Sequence, residues 1–146
     1  MNYSIQEIPA INTYAVRQPV LRADKPIESC RFEGDELPST HHFGYFVEDQ
    51  LIGVISLFEI GNPHFDEQKS LQIRGMAVLN GYQKQGVGKV LVRAAESFCA
   101  NQKTTLIWFN ARTSAVGFYK KMGYEMMGSE FEIKGVGPHF LMYKKI

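Results

Sequence analysis

Gln83-Lys84-Gln85-Gly86-Val87-Gly88-Lys89 stands between an apolar run over 71–79 and a helix-patterned segment over 87–100. A strand that ends in a glycine-rich turn and then enters a helix presents free backbone N–H groups at the helix mouth. Those donors, with the positive end of the helix dipole, favour a phosphate-like anion. Gly86 and Gly88 let a bulky anion approach the main chain with no Cβ in the way. The ligand that owns this anion is the question the rest of the sequence must answer.

Working outward, the helix that follows carries Val87, Leu91, Ala94, Ala95 and Phe98 on one face, a stripe suited to packing on a sheet. The next strand is expected over 104–110. Thr113 or Ser114 then caps a helix with Ala115, Phe118, Tyr119 and Met122 on one side, and Gly123 sits where a helix-ending glycine belongs. Two strands over 124–133 and 139–143 close the chain. Upstream, 43–47 and 51–58 read as a hairpin across Glu48-Asp49-Gln50, and Gly61-Asn62-Pro63-His64 is a turn. Residues 10–22 read as a helix with Ile11, Tyr14 and Ala15 on one face, kinked or restarted by Pro19, and 23–41 as a polar loop. The order is helix, hairpin, strand, helix, strand, helix, hairpin: an α/β (α+β) layer with a mixed central sheet.

A chain of 146 residues with 45% hydrophobic and 12% aromatic content suits one domain, taken as 1–146. Sixteen basic and 15 acidic residues leave a net charge of +1, which gives no general attraction to nucleic acid or anionic membrane. No apolar run approaches the ~20 residues of a membrane span, and the first residues carry no signal pattern, so a cytoplasmic location is expected. Cys30 and Cys99 read as free thiols, Cys99 as buried and inert. No Cys-x-x-Cys or His-x-x-x-His occurs, so no metal is expected.

Three glycine motifs compete for the anion. A Walker loop starting at Gly81 needs Lys after Gly86, where Val87 stands, and lacks Ser or Thr after Lys89. A dinucleotide fingerprint needs glycine at Leu91. The remaining pattern, Gln83-x-x-Gly86-x-Gly88 after Met76-Ala77-Val78, resembles the acyl-coenzyme A site of the GNAT N-acetyltransferases. The block Asn110-Ala111-Arg112-Thr113-Ser114-Ala115-Val116-Gly117-Phe118-Tyr119-Lys120-Lys121-Met122-Gly123-Tyr124 is similar to the later strand and helix of that superfamily. The resemblance covers 71–125. Many relatives carry Asn where this chain has Arg112.

The resemblance implies a GNAT-like sheet with helices on both faces and a splayed strand pair holding coenzyme A. It implies direct attack of a primary amine on acetyl-CoA, the co-substrate, through a tetrahedral intermediate. The acceptor is a small molecule or an amino terminus. Donors for the oxyanion are expected near Met76, Ala77 and Val78, on a bulged strand. The diphosphate is expected on the N–H groups of Lys84, Gln85, Gly86, Val87, Gly88 and Lys89, with Gln83 bracing the turn and Lys84 or Lys89 adding charge. The pantetheine arm is expected between strands ending near Val78 and Asn110, with Arg112 and Phe118 beside it. Tyr119 is the expected acid for the leaving thiolate and His139 the expected base, with Glu59 a second candidate. Arg22, Arg74 and Arg112 are candidates for gripping a carboxylate on the acceptor. His41, His42 and His64 read as surface residues. A non-catalytic acyl-CoA sensor on the same scaffold is the alternative function, and exposed edge strands offer a route to a homodimer.

Overall fold

The computed structural model describes residues 2–66 and 69–146. Its sheet runs in the order β1-β2-β3-β4-β5-β7-β6. The strands are β1 (Tyr3–Ile8), β2 (His41–Val47), β3 (Gln50–Phe58), β4 (Ser70–Val78), β5 (Leu106–Arg112), β6 (Glu125–Ile133) and β7 (Gly137–Lys145). The helices are α1 (Tyr14–Leu21), α2 (Val87–Asn101) and α3 (Val116–Lys121). All neighbours in the sheet are antiparallel except β4 and β5, joined through α2 as a parallel crossover.

β1 is absent from the sequence reading. Its alternation is weak, and all but Ile8 remain at least partly exposed. It forms because pairing with β2 covers that strand's open edge, Tyr3 stacking on Tyr45 at 4.8 Å. The segment expected as one helix over 10–22 is a 3-10 turn over Ala10–Thr13 followed by α1. Pro19 lies inside α1 without ending it.

Helices cover both faces of the sheet. Along β3, Gly53 faces α2, where a Cβ would meet Val87 and Leu91 at 3.1 and 3.2 Å. Ile55 and Leu57 join the same core as Leu91, Val92, Ala95 and Cys99. The alternate residues face α1: Val54 packs with Val16, and Ser56 bonds Arg17. The buried stripe of α2 is Val87, Leu91, Val92, Ala95 and Cys99, rotated from the expected one, with Ala94 and Phe98 at its margin. Glu96 ties the outer flank of α2 to the last strands, accepting bonds from Tyr124 Oη at 2.9 Å and Lys144 Nζ at 3.1 Å. Cys30 and Cys99 are buried free thiols, and burial pushes the Cys99 thiol up to about 12.

Candidate active site

The parallel pair is what opens the sheet. β4 and β5 are in register only at Ser70↔Leu106, Leu71↔Ile107 and Gln72↔Trp108. Beyond Gln72 the two strands diverge. Main-chain groups of β4 from Ile73 onward and of β5 from Phe109 onward therefore face a cleft instead of each other. β3 and β4 also lose register, with Val54 opposite Ala77 but Ser56 opposite Arg74. One extra residue is thus inserted in β4 at Gly75–Met76. Gly75 takes φ +65, and a Cβ there would stand 2.8 Å from Phe32 and 3.3 Å from Arg17 Nε. The bulge expected near Met76, Ala77 and Val78 is centred one residue earlier. A glycine inside an apolar strand is its only sequence signal.

At the C-terminal end of β4 the chain makes a 3-10 turn over Asn80–Tyr82 and enters α2 through Gly86, at φ +84. Gln83 braces this turn as expected: its Nε2 donates to the Val78 carbonyl at 2.8 Å and to Asn80 Oδ1 at 3.1 Å. α2 has no side-chain cap and no acidic residue in its first turn. Among the described residues, the N–H groups of Gly86, Val87, Gly88 and Lys89 donate to no protein acceptor. Four unpaired donors at the positive end of a helix form a cradle for an anion. Val87 contributes its amide alone, since its side chain is core. Gln85 is turned back, Nε2 donating to the Gly81 carbonyl at 3.3 Å.

A hollow of about 340 Å³ runs from this turn along Met76, Val78, Phe118 and Tyr119, with Lys84 and Lys89 at its rim. It meets a cleft of about 480 Å³ between the splayed strands, and both are lined by Met76, Ala115 and Tyr119. Asn110, Arg112 and His139 line the second cleft. Ala77 points the other way, into the α1 core, so only its backbone is available. The α3 region has no side-chain cap from Thr113 or Ser114: a 3-10 turn over Thr113–Ala115 leads in instead. Phe118, expected on a buried face, is exposed and forms a wall of the hollow.

Tyr119 is packed by Phe109 at 4.4 Å and Phe118 at 4.9 Å, and its hydroxyl has no protein partner among the described residues. Burial pushes its phenol up to about 12, so it keeps its proton at neutral pH. The ring of His139 is buried, and its Nδ1 lies 2.8 Å from the Gly137 carbonyl. A carbonyl only accepts, so Nδ1 carries the hydrogen and the neutral ring keeps its lone pair on Nε2. Glu59 is exposed and lies outside both hollows.

One cluster is not legible in the sequence. Arg17, fully buried, pairs with Asp35 through Nη1–Oδ2 at 2.6 Å and Nη2–Oδ1 at 3.1 Å. It also donates to the Cys30 carbonyl at 2.7 Å and to Ser56 Oγ at 2.9 Å. His42 is buried here too, a correction to its surface assignment. Its Nε2 donates to the Asp35 carbonyl at 2.8 Å, so its Nδ1 accepts from Ser56 Oγ at 2.7 Å. Burial holds its pKa below the usual value, against the Asp35 hydrogen bond. The Ser56 and His42 protons are thereby assigned, while the buried Arg17 Nε–H has no hydrogen-bond partner among the described residues. The one available signal for Arg17 is its spacing with Thr13, Val16 and Val20 on the inward stripe of α1.

An α/β sheet with one splayed parallel pair, a bulge beside the splay and an anion cradle at its mouth defines a binder of an elongated phosphate-bearing carrier. A family model described as an acetyltransferase (GNAT) domain matches residues 22–146. The uncharacterized N-acetyltransferase YitI of Bacillus subtilis (strain 168) is 34% identical over 142 residues, 97% of this chain and 95% of that protein. The ribosomal-protein-S18-alanine N-acetyltransferase from Escherichia coli has the same fold, with TM-score 0.79 at 14% identity over 99% of this chain and 94% of that one. An aminoglycoside 6'-N-acetyltransferase complexed with coenzyme A superposes with TM-score 0.76 at 14% identity, over 97% and 96%. The chain belongs to the GNAT acetyltransferases, and the transfer it carries out is of an acetyl group from acetyl-CoA to an amine.

Proposed function

We propose that this chain is a one-domain, cytoplasmic N-acetyltransferase whose acceptor is a primary amine on a small molecule, and that the residues above carry the reaction. The single observation behind the assignment is the continuity of the free amides at Gly86 to Lys89 with the splay of β4 from β5, Tyr119 standing where the two hollows meet.

The co-substrate supplies an acetyl group activated as a thioester. The amides of the turn bind its diphosphate, and Lys84 and Lys89 add positive charge at the rim. The open edges of β4 and β5 offer main-chain donors and acceptors to the pantetheine amides, as a sheet edge does to an added strand. Asn110, Arg112 and Phe118 flank that arm. The bulge at Gly75–Met76 leaves both residues without a ladder partner in β3, so main-chain donors there are available to polarise the thioester carbonyl. An amine with an ordinary pKa near ~10.4 enters protonated. Nε2 of His139 accepts its proton, directly or through a water. The Tyr119 hydroxyl donates to the departing sulfur.

The test has two parts. Acetyl-CoA at a hundredfold excess over its dissociation constant should stabilise the fold by about 2.7 kcal/mol, seen as a rise in melting temperature. Tyr119→Phe should then lower kcat by about 100-fold on an accepted amine, followed by thiol release, with the acetyl-CoA shift unchanged. No shift with acetyl-CoA would remove the donor assignment. An unaltered rate would remove Tyr119 from its role.

A further inference from the structure

The acceptor side of the cleft carries positive charge that the protein does not neutralise. Phe32, from the segment after α1, is ringed by three guanidinium groups. The central carbon of Arg17 lies 3.9 Å from the ring centroid, that of Arg74 5.1 Å and that of Arg22 5.6 Å. Arg74 also stands over Phe58 at 5.1 Å. Both carboxylate oxygens of Asp35 are taken by Arg17. Among the described residues neither Arg22 nor Arg74 has an ion-pair partner; Arg22 donates only to the Leu21 carbonyl, at 3.1 Å. Both line the same cleft as Gly75, Met76, Tyr119 and His139.

Arg74 is half-buried, and its surroundings work against its charge. Burial, then Arg17 and then Arg22, lower its pKa, while Asp35 and Glu33 oppose them. Its central carbon lies within cation–π reach of two aromatic rings, and the N–H donors along the guanidinium edge have no protein partner among the described residues. A planar anion with two coplanar oxygens fits that edge by bidentate bonds. A polycationic amine entering the same cleft would meet uncompensated like charge in a poorly solvated place.

We propose that the acceptor amine carries a carboxylate, which Arg74 and Arg22 grip while its amino group lies toward the bulge and His139. The assignment rests on the acetyltransferase reading and adds the substrate class, an amino acid or a similar amino-carboxylate.

Thiol release from acetyl-CoA with matched triplets tests it: each of the common amino acids, its carboxamide and its decarboxylated amine. The expected result is a kcat/KM at least tenfold higher for the carboxylate member of one or more triplets. In Arg74→Met the ratio of carboxylate to carboxamide kcat/KM should fall at least tenfold, the melting-temperature rise with acetyl-CoA reporting that the variant is folded. Arg22→Met, whose guanidinium faces one ring instead of two, should move the same ratio in the same direction by less. Turnover of neutral or cationic amines with equal or worse rates for carboxylates would overturn the inference and leave the acetyltransferase reading intact. Loss of all members equally in both variants would also overturn it. If no triplet is turned over, N-acetyl amino acids and their amides titrated into the CoA-saturated protein decide the matter: tighter binding of the acids supports the inference, and equal binding overturns it. Failure of acetyl-CoA itself to bind would bring down the underlying reading and this one with it.

Discussion

The two ends of the cleft, proposed as its donor and acceptor ends, are built from different materials. The donor end, from Gln83 to Lys89, is main chain: free amides, a left-handed glycine and one glutamine that props the turn. The acceptor end is side chain: Arg17, Asp35, His42 and Ser56 locked together, with the guanidinium groups of Arg17, Arg74 and Arg22 around the Phe32 ring. A backbone cradle serves any chain that can make the turn, so it suits a ligand that never changes. A side-chain wall can be altered residue by residue, so it suits the partner that distinguishes one enzyme from another. The buried cluster beneath the wall keeps it in place: it ties α1, the segment holding Cys30 and Asp35, and β2 and β3 to one another.

That contrast can be broken from either side. The largest effect should come from Arg17→Met, which leaves the Asp35 carboxylate with the Phe32 N–H, donating to Oδ2 at 2.9 Å, in place of its buried cation. Leaving one member of a buried pair alone costs about 3–5 kcal/mol, so a urea titration should show a large share of the domain's stability gone. A double replacement, Arg17→Met with Asp35→Leu, should recover part of it. Equal stability in the single variant would show that the cluster does not hold the wall.

Glycine swaps separate the two ends more finely. Gly75→Ala meets both a positive φ and a 2.8 Å contact with Phe32, and should cost about 1–3 kcal/mol in chemical denaturation. It should also disturb the acceptor KM more than that of acetyl-CoA, because Phe32 is what moves. Gly86→Ala has open space around it, so its cost is the left-handed backbone alone, about 1–2 kcal/mol. There the acetyl-CoA KM should rise and the acceptor KM should hold. The reverse pattern in steady-state kinetics would interchange the two ends.

The smallest effect is a pH limb. His42 has its pKa held down by burial, so the unfolded chain binds the proton more readily than the folded one. Its contribution is fully present above the unfolded value, about 6.5, and is lost as pH falls from there through the folded value, with a slope of at most ~1.4 kcal/mol per pH unit. His42→Gln should flatten that limb in denaturation curves recorded between pH 7 and 5. An unchanged slope would mean that other groups carry the acid sensitivity.

The same contrast explains what can be read in advance. The strands β2 to β5, helix α2 and the turn from Gln83 to Lys89 follow from alternation, a 3.6-residue stripe and glycine spacing, all local signals. β1 has no such stripe and exists through its partner strand. The expected stripe of α2 is misplaced by one position because Phe98 and Cys99 are both apolar, and only packing chooses between them. His42, like His41 beside it, reads as a surface residue of a loop. Register in β2 turns one inward and leaves the other outside, where His41 Nδ1 meets Glu7 Oε2 at 2.7 Å.

By itself, then, the sequence determined the anion cradle, because the backbone conformation that frees those amides is written in seven consecutive residues, 83–89. Tertiary structure alone decided the wall proposed for the acceptor. Residues 17, 22, 32, 35, 42, 56 and 74 lie far apart along the chain, and no periodicity links them. Their meeting depends on the splay of β4 from β5, on the bulge at Gly75 and on the seating of α1 across the sheet, and each of these is a balance of packing across the whole fold.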